Sequence, residues 1–277
     1  PASVPPLSCI RLSEPYFSAR RNTSAAAKYA DALYGADSRL SALLAALGRE
    51  GVLDRTDVIV VSGLPPVSGD ALPDIAGVLR AASLPVLDSF SGTPPDGSIL
   101  VVQSHDAALV YIAGHEHDTA GKVAQALRKV QGNPVLFSRD GNFGTLPLAA
   151  AQLDSPDAPD FLLARHLAPG GNRTLMVAMG PDFKPHTSID SATSNTDIAP
   201  TVLWILGIDA PKGSTGRVLS EALSIVGPET PETRTFVNPS PHGTSDTPVY
   251  FIKGSVTGKS LSIDEAGSFD APKPPAQ

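Results

Sequence analysis

The chain has 277 residues, of which 42% are hydrophobic, with a net charge of −7 at neutral pH and a pI near 5.3. It contains no apolar run of about 18 or more residues, so no membrane-spanning helix is expected. Lys and Arg gather no further than the pairs Arg20-Arg21 and Arg128-Lys129, which excludes a basic surface that tracks a phosphate backbone and, with it, nucleic acid as a partner.

In chain order, the apolar run Leu7–Leu12 reads as a strand, with the single cysteine, Cys9, as a small core residue inside it. Ser24–Gly48 has helical periodicity, with Tyr29, Leu33, Leu40, Leu43, Leu44 and Leu47 on its apolar side, and Thr56–Ser62 reads as a buried strand. Strand, helix, strand is the grammar of a mostly parallel sheet covered by helices. Asp70–Ala82 reads as the next helix and Pro85–Phe90 as a short strand. Gly97–Ser104 and Ala107–Ala113 form a predicted hairpin, Thr119–Val130 a helix and Val135–Ser138 a strand. Asp140-Gly141 in the run Ser138–Gly144 is a tight-turn signal rather than a phosphate loop. Past Leu223, the Pro, Ser and Thr content of Gly227–Thr247 predicts an irregular connection, then a hairpin of Pro248–Lys253 and Ser260–Asp264, and a Pro-rich tail.

The stretch Gly180–Arg217 holds the most information. Thr174–Met179 is an apolar run that ends at Gly180-Pro181, as a buried strand ends at a turn. Asn195, Thr196 and Asp197 offer capping oxygens to a helix that runs through Ile198, Ala199, Val202, Leu203, Ile205 and Leu206 and stops at Gly207, with Pro200 in its first turn. The ordered combination GPDF, NTDIAPT and GRVLSEAL resembles the C-terminal half of the alkaline phosphatase superfamily, in its type I phosphodiesterase/nucleotide pyrophosphatase branch. That resemblance implies an α/β fold with a mostly parallel sheet flanked by helices. It divides the chain into a core of residues 1–83 and 141–226, a small α+β insertion of residues 84–140, and a connection, hairpin and tail over 227–277.

The resemblance also implies two divalent metals, usually zinc, held by Asp and His ligands in the order EPDxxGHxxGP, SDHG and HGS. Two metals clamp both oxygens of a phosphoryl displacement, and each needs three or four donors. In this chain the first motif falls on Glu14–Arg20, with Tyr16 at the ligand Asp position and Arg20 at the ligand His position. A guanidinium stays protonated and puts positive charge where a dication would sit. After Ser62 the chain runs into Gly63-Leu64-Pro65-Pro66 in place of the Asp-His pair, and His166 is the one remnant of the third motif.

The remaining donors are read as structural. His115, Glu116, His117 and Asp118 stand at a helix start, with Asp118 as the expected cap. His105 and His186 lie in turns, and His242 lies in the Pro-rich connection. No GxSxG elbow, GxGxxG or P-loop lysine is present.

The sequence therefore describes a metal-site-deficient relative of the type I phosphodiesterases, with no catalytic residue and no cofactor, acting as a structural or binding subunit. Its expected partner is a protein chain or a second half of the same protein, since it begins Pro1-Ala2 and has no room for the family's nucleophile. The rival expectation is a metal-dependent phosphodiesterase or phosphatase whose nucleophile and remaining ligands lie in an upstream segment or a partner chain. An extracellular or secretory setting follows from the resemblance alone.

Overall fold

The computed structural model describes residues 5–13, 26–62, 71–168, 174–241 and 248–270. The chain forms two compact units. The first comprises Pro1–Ser68, Thr174–Ser188 and Ala222–Val226, and the second comprises Gly69–Arg173, Ile189–Glu221 and Gly227–Gln277.

In the first unit, helix α1 (Ala26–Arg49) is followed by a single 3-10 turn, Leu53–Arg55, and by strand β1 (Val58–Val61). The helix matches its sequence pattern, though Tyr29 and Leu33 remain exposed on the face expected to be apolar. Leu7–Leu12 is not a strand: Leu7, Ile10 and Leu12 are exposed, and so is Cys9, which is therefore no core residue. A largely apolar run of six residues becomes a strand only where another strand supplies its hydrogen bonds, and none does here among the described residues.

The second unit opens with helix α2 (Ile75–Ala81) and continues through β2 (Val86–Leu87), β3 (Ile99–Gln103), β4 (Ala107–Ile112), helix α3 (His117–Leu127), β5 (Val135–Ser138), β6 (Leu146–Pro147) and β7 (Phe161–Ala164). These strands make one six-stranded sheet in the order β2-β3-β4-β7-β5-β6. Its core contains Ile75, Leu79, Ile99, Leu127, Leu136, Phe161 and Leu163, each all but removed from solvent.

β8 (Met176–Met179) belongs to the first unit and pairs with β1 alone, antiparallel, from Val58 opposite Met179 to Val61 opposite Met176. Helix α4 (Ile198–Ile205) and the strands β9 (Thr233–Pro239), β10 (Pro248–Thr257) and β11 (Ser260–Asp270) belong to the second unit. The three strands form a separate antiparallel sheet in the order β11-β10-β9. The predicted hairpin is present and longer than expected, with a register shift between Lys253 and Gly254. β9 replaces the irregular connection expected there: its Pro239 lies at the strand end and its free side is an edge, where a missing N–H is tolerated.

The expectation of a mostly parallel sheet flanked by helices is overturned. Among the described residues only β2-β3 and β5-β6 pair in parallel, and every other pair is antiparallel. The physical reason lies in strand order. The strand-helix-strand unit expected over Leu7–Ser62 is absent, because Leu7–Leu12 is not a strand and β1 pairs antiparallel with β8, whereas β4, α3 and β5 form such a unit, with β4 and β5 running in the same direction. β7, antiparallel to both, enters between them. Local periodicity specifies the elements of such a split unit but not which later strand fills the gap.

Candidate functional site

The motif-rich stretch builds a buried polar brace in the second unit. Ser194 caps the turn Asn195–Asp197 that leads into α4: its hydroxyl accepts from the Thr196 N–H at 3.4 Å, and the Asp197 carboxylate accepts in return from the Ser194 N–H at 2.8 Å. This is a capping box, and the cap is Ser194 rather than the three residues expected from sequence. Asp197 is fully buried and takes two further bonds, from the Arg217 N–H at 2.9 Å and from the Ser260 hydroxyl. Thr201 donates to the Asp197 carbonyl at 2.7 Å and accepts from the Leu219 N–H at 3.0 Å. Gly216 has no side chain because a Cβ there would run into the Thr196 carbonyl.

The Arg217 side chain completes the brace. It is 7% exposed and forks onto Glu221 at 2.6 and 2.9 Å, while Ser191 also donates to Glu221 at 2.7 Å. Burial alone would raise the Glu221 pKa, but the Arg217 and Ser191 hydrogen bonds outweigh it and hold the carboxyl at about 2. Each carboxylate oxygen of Asp197 and Glu221 thus accepts at least one hydrogen bond from an amide, a hydroxyl or the guanidinium.

In the first unit, the Asp182 N–H of the GPDF turn donates to Asp57 at 3.2 Å, at the foot of β1. The turn is tied down by Lys184 N–H to Ala222 carbonyl at 2.9 Å and by Ser224 N–H to Asp182 carbonyl at 2.8 Å. Desolvation raises the Asp57 pKa, and the Asp182 carboxyl adds to that rise, while the Asp182 N–H works against it. No pattern in the sequence marked this pair, since its members are 125 residues apart.

The expected metal positions fare as follows. Tyr16 and Arg20 lie outside the described residues, as do His242 and the segments 63–70 and 169–173. His166 is exposed and lies over β11: a Cβ at Gly267 would sit 2.7 Å from its Nδ1, and the adjoining Leu167 exchanges backbone hydrogen bonds with Ala266 at 2.8 and 3.0 Å. Among the described residues no three His, Cys, Asp or Glu side chains come together.

The His115–Asp118 cluster separates into distinct roles. Glu116, not Asp118, caps α3, accepting from the Thr119 N–H at 2.7 Å and the Asp118 N–H at 3.1 Å. The Thr119 bonds, side chain first, hold its carboxyl below the usual range. Asp118 falls two positions past the cap because the helix begins at His117. His115 turns away from the helix and pairs through Nδ1 with Asp160 at 2.6 Å, whose other oxygen accepts from the Ile112 N–H at 2.7 Å. The side chain of Asp160 is 10% exposed and that of His115 62%, so a buried carboxylate orients an imidazole that faces solvent. Asp160 gave no signal in sequence.

Farther along α3, His117, Gly121, Lys122 and Arg128 line a groove of about 490 Å³ with Phe143, from the loop between β5 and β6. The His117 and Phe143 rings are 5.1 Å apart at a tilt of 37°. The loop itself is the tight turn expected: Thr145 donates to the Ser138 hydroxyl at 2.7 Å and to the Asn142 carbonyl at 2.8 Å. Comparison with family models, curated proteins and solved structures finds no match to the chain. No helix among the described residues is long and apolar enough to cross a membrane.

Proposed function

We propose that the chain is a non-catalytic relative of the type I phosphodiesterases that serves as a structural or binding subunit. The observation that carries this reading is the condition of Asp197. It is the fully buried carboxylate at the centre of the stretch that bears the family resemblance, and its three hydrogen bonds join the start of α4, the Gly216-Arg217 exit and the start of β11. The stretch acts as a brace, which a scaffold retains after it has lost its chemistry.

The binding half of the proposal draws on exposed apolar side chains. Leu175, Val177 and Met179 along β8, and Trp204, Leu206 and Ile208 at the end of α4, are all exposed, and such clusters favour contact with another protein. The partner expected is a protein chain or a second half of the same protein. The test is elemental analysis of the purified chain together with hydrolysis of bis(4-nitrophenyl) phosphate in added zinc or manganese. Sub-stoichiometric metal and no hydrolysis above the metal-only rate are expected. Two metals per chain with metal-dependent turnover would overturn the reading and favour the rival hydrolase.

A further inference from the structure

The groove beside α3 is assembled at two local costs that meet at one contact. Phe143 has φ 60, a left-handed conformation unfavourable for a bulky L-residue. Gly121 lies in the interior of α3, where glycine is less favourable than alanine. A Cβ at position 121 would lie 3.6 Å from Phe143 Cε1. The Phe143 ring lies against the helix at Gly121, next to His117 and only partly buried. Backbone strain of this kind persists where the surroundings enforce it, and it concentrates at binding sites.

The charges around the ring are unbalanced. Lys122 is exposed and forms no ion pair among the described residues; its charge reaches Glu116 only through space. Arg128 holds a buried Nε with no hydrogen-bond partner among the described residues. Asp118 is the one carboxylate lining the groove. Among the side chains that line the groove two cations stand against one anion, with Glu116 in electrostatic reach of Lys122, on a chain whose overall charge is −7.

We propose that this groove binds a small aromatic monocarboxylate, its ring against Phe143 and His117 and its carboxylate between Lys122 and Arg128. The ring supplies stacking and apolar contact, and the guanidinium supplies paired donors to the oxyanion. Asp118 penalises a second negative charge, so a dianionic aryl phosphate binds more weakly. The inference does not depend on whether the chain is catalytic.

The test is titration of the full chain with indole-3-acetate, phenyl phosphate and the neutral indole-3-ethanol, by calorimetry and by amide chemical shifts. Indole-3-acetate is expected to bind with Kd of about 1 mM, as its size allows, and to move the amide signals of Gly121, Lys122, Phe143 and Gly144. Lys122→Gln, on an exposed side chain, weakens it about three- to tenfold. Asp118→Asn narrows the margin over phenyl phosphate. Phe143→Gly, which relieves the backbone while removing the ring, abolishes the preference for an aromatic acid over acetate. The proposal falls if no saturable binding is found, if indole-3-ethanol binds as well as the acid, if phenyl phosphate binds more tightly, or if Lys122→Gln leaves the affinity unchanged.

Discussion

The two units put nearly the same kind of strand to different use. β1 is Val-Ile-Val-Val and β8 is Met-Val-Ala-Met, while β5 is Val-Leu-Phe-Ser and β7 is Phe-Leu-Leu-Ala. β5 is buried along its whole length and β7 all but its last residue, whereas Val60, Val177 and Met179 are exposed. Apolar content does not separate the pairs. Sheet membership does: β5 and β7 lie inside six strands, and β1 and β8 have only each other. A two-stranded ribbon is marginal by itself, because each face needs a covering layer and each edge a partner. A short apolar run therefore announces a strand but not its depth.

The most forceful attempt to break this contrast is truncation at matched positions. Leu163→Ala in β7 removes a fully buried side chain and is expected to cost about 3–5 kcal/mol. Val177→Ala in β8, half exposed, is expected to cost under about 1 kcal/mol. Urea unfolding measures both, and equal costs would mean that the ribbon is as deeply packed as the sheet.

The polar brace allows a sharper test. Asp197→Ala strands the Ser194 and Arg217 amides and the Ser260 hydroxyl without an acceptor, a loss of about 2–4 kcal/mol in the same assay. Asp197→Asn keeps one carbonyl oxygen and is expected to fall between that variant and the parent chain. If Asp197→Ala proved neutral, the brace would contribute nothing to stability and the observation behind the proposed function would go with it.

Acid titration gives the smallest effects, with opposite signs in the two units. Glu221 in the second unit is depressed from 4.5 to about 2, so its stabilisation is present above 4.5 and is lost as pH falls toward 2. Glu221→Gln should flatten that part of the stability curve. Asp57 in the first unit is raised above 3.8, so its favourable contribution exists only below that value and disappears as pH rises through the raised one. Asp57→Asn should raise the melting temperature at pH 7 and leave it unchanged near pH 3. A lower melting temperature at pH 7 would show that the carboxylate is an asset to the GPDF turn.

Much of the element list was legible in sequence, because helices such as α1 and α3 and the β3-β4 and β10-β11 hairpins rest on periodicity and turn residues close along the chain. What escaped was set by distant partners. β7 is absent from the elements read in the sequence, since its place between β4 and β5 is set by strands distant along the chain, and β9 hid in a Pro-rich stretch. The brace was half visible: Asp197 announced itself as a helix-start residue, but Ser260, which donates to it, carried no mark. Likewise His115 stood out in its cluster, whereas Asp160, the residue that orients it, did not. The Phe143 groove was read as a plain turn, since sequence shows neither a positive φ nor which helix the ring of that turn meets.

The Ser260–Asp197 bond has a further consequence for the order in which the protein is made. The two residues are 63 positions apart, and synthesis at about 5–20 residues per second separates their emergence by roughly 3 to 13 s. Throughout that interval α4 has its capping box, while the buried face of Asp197 waits for a donor that the ribosome has not yet delivered. The nascent chain must keep a carboxylate wet until its last hairpin arrives, which makes closure of β10 on β11 the step that seals the brace.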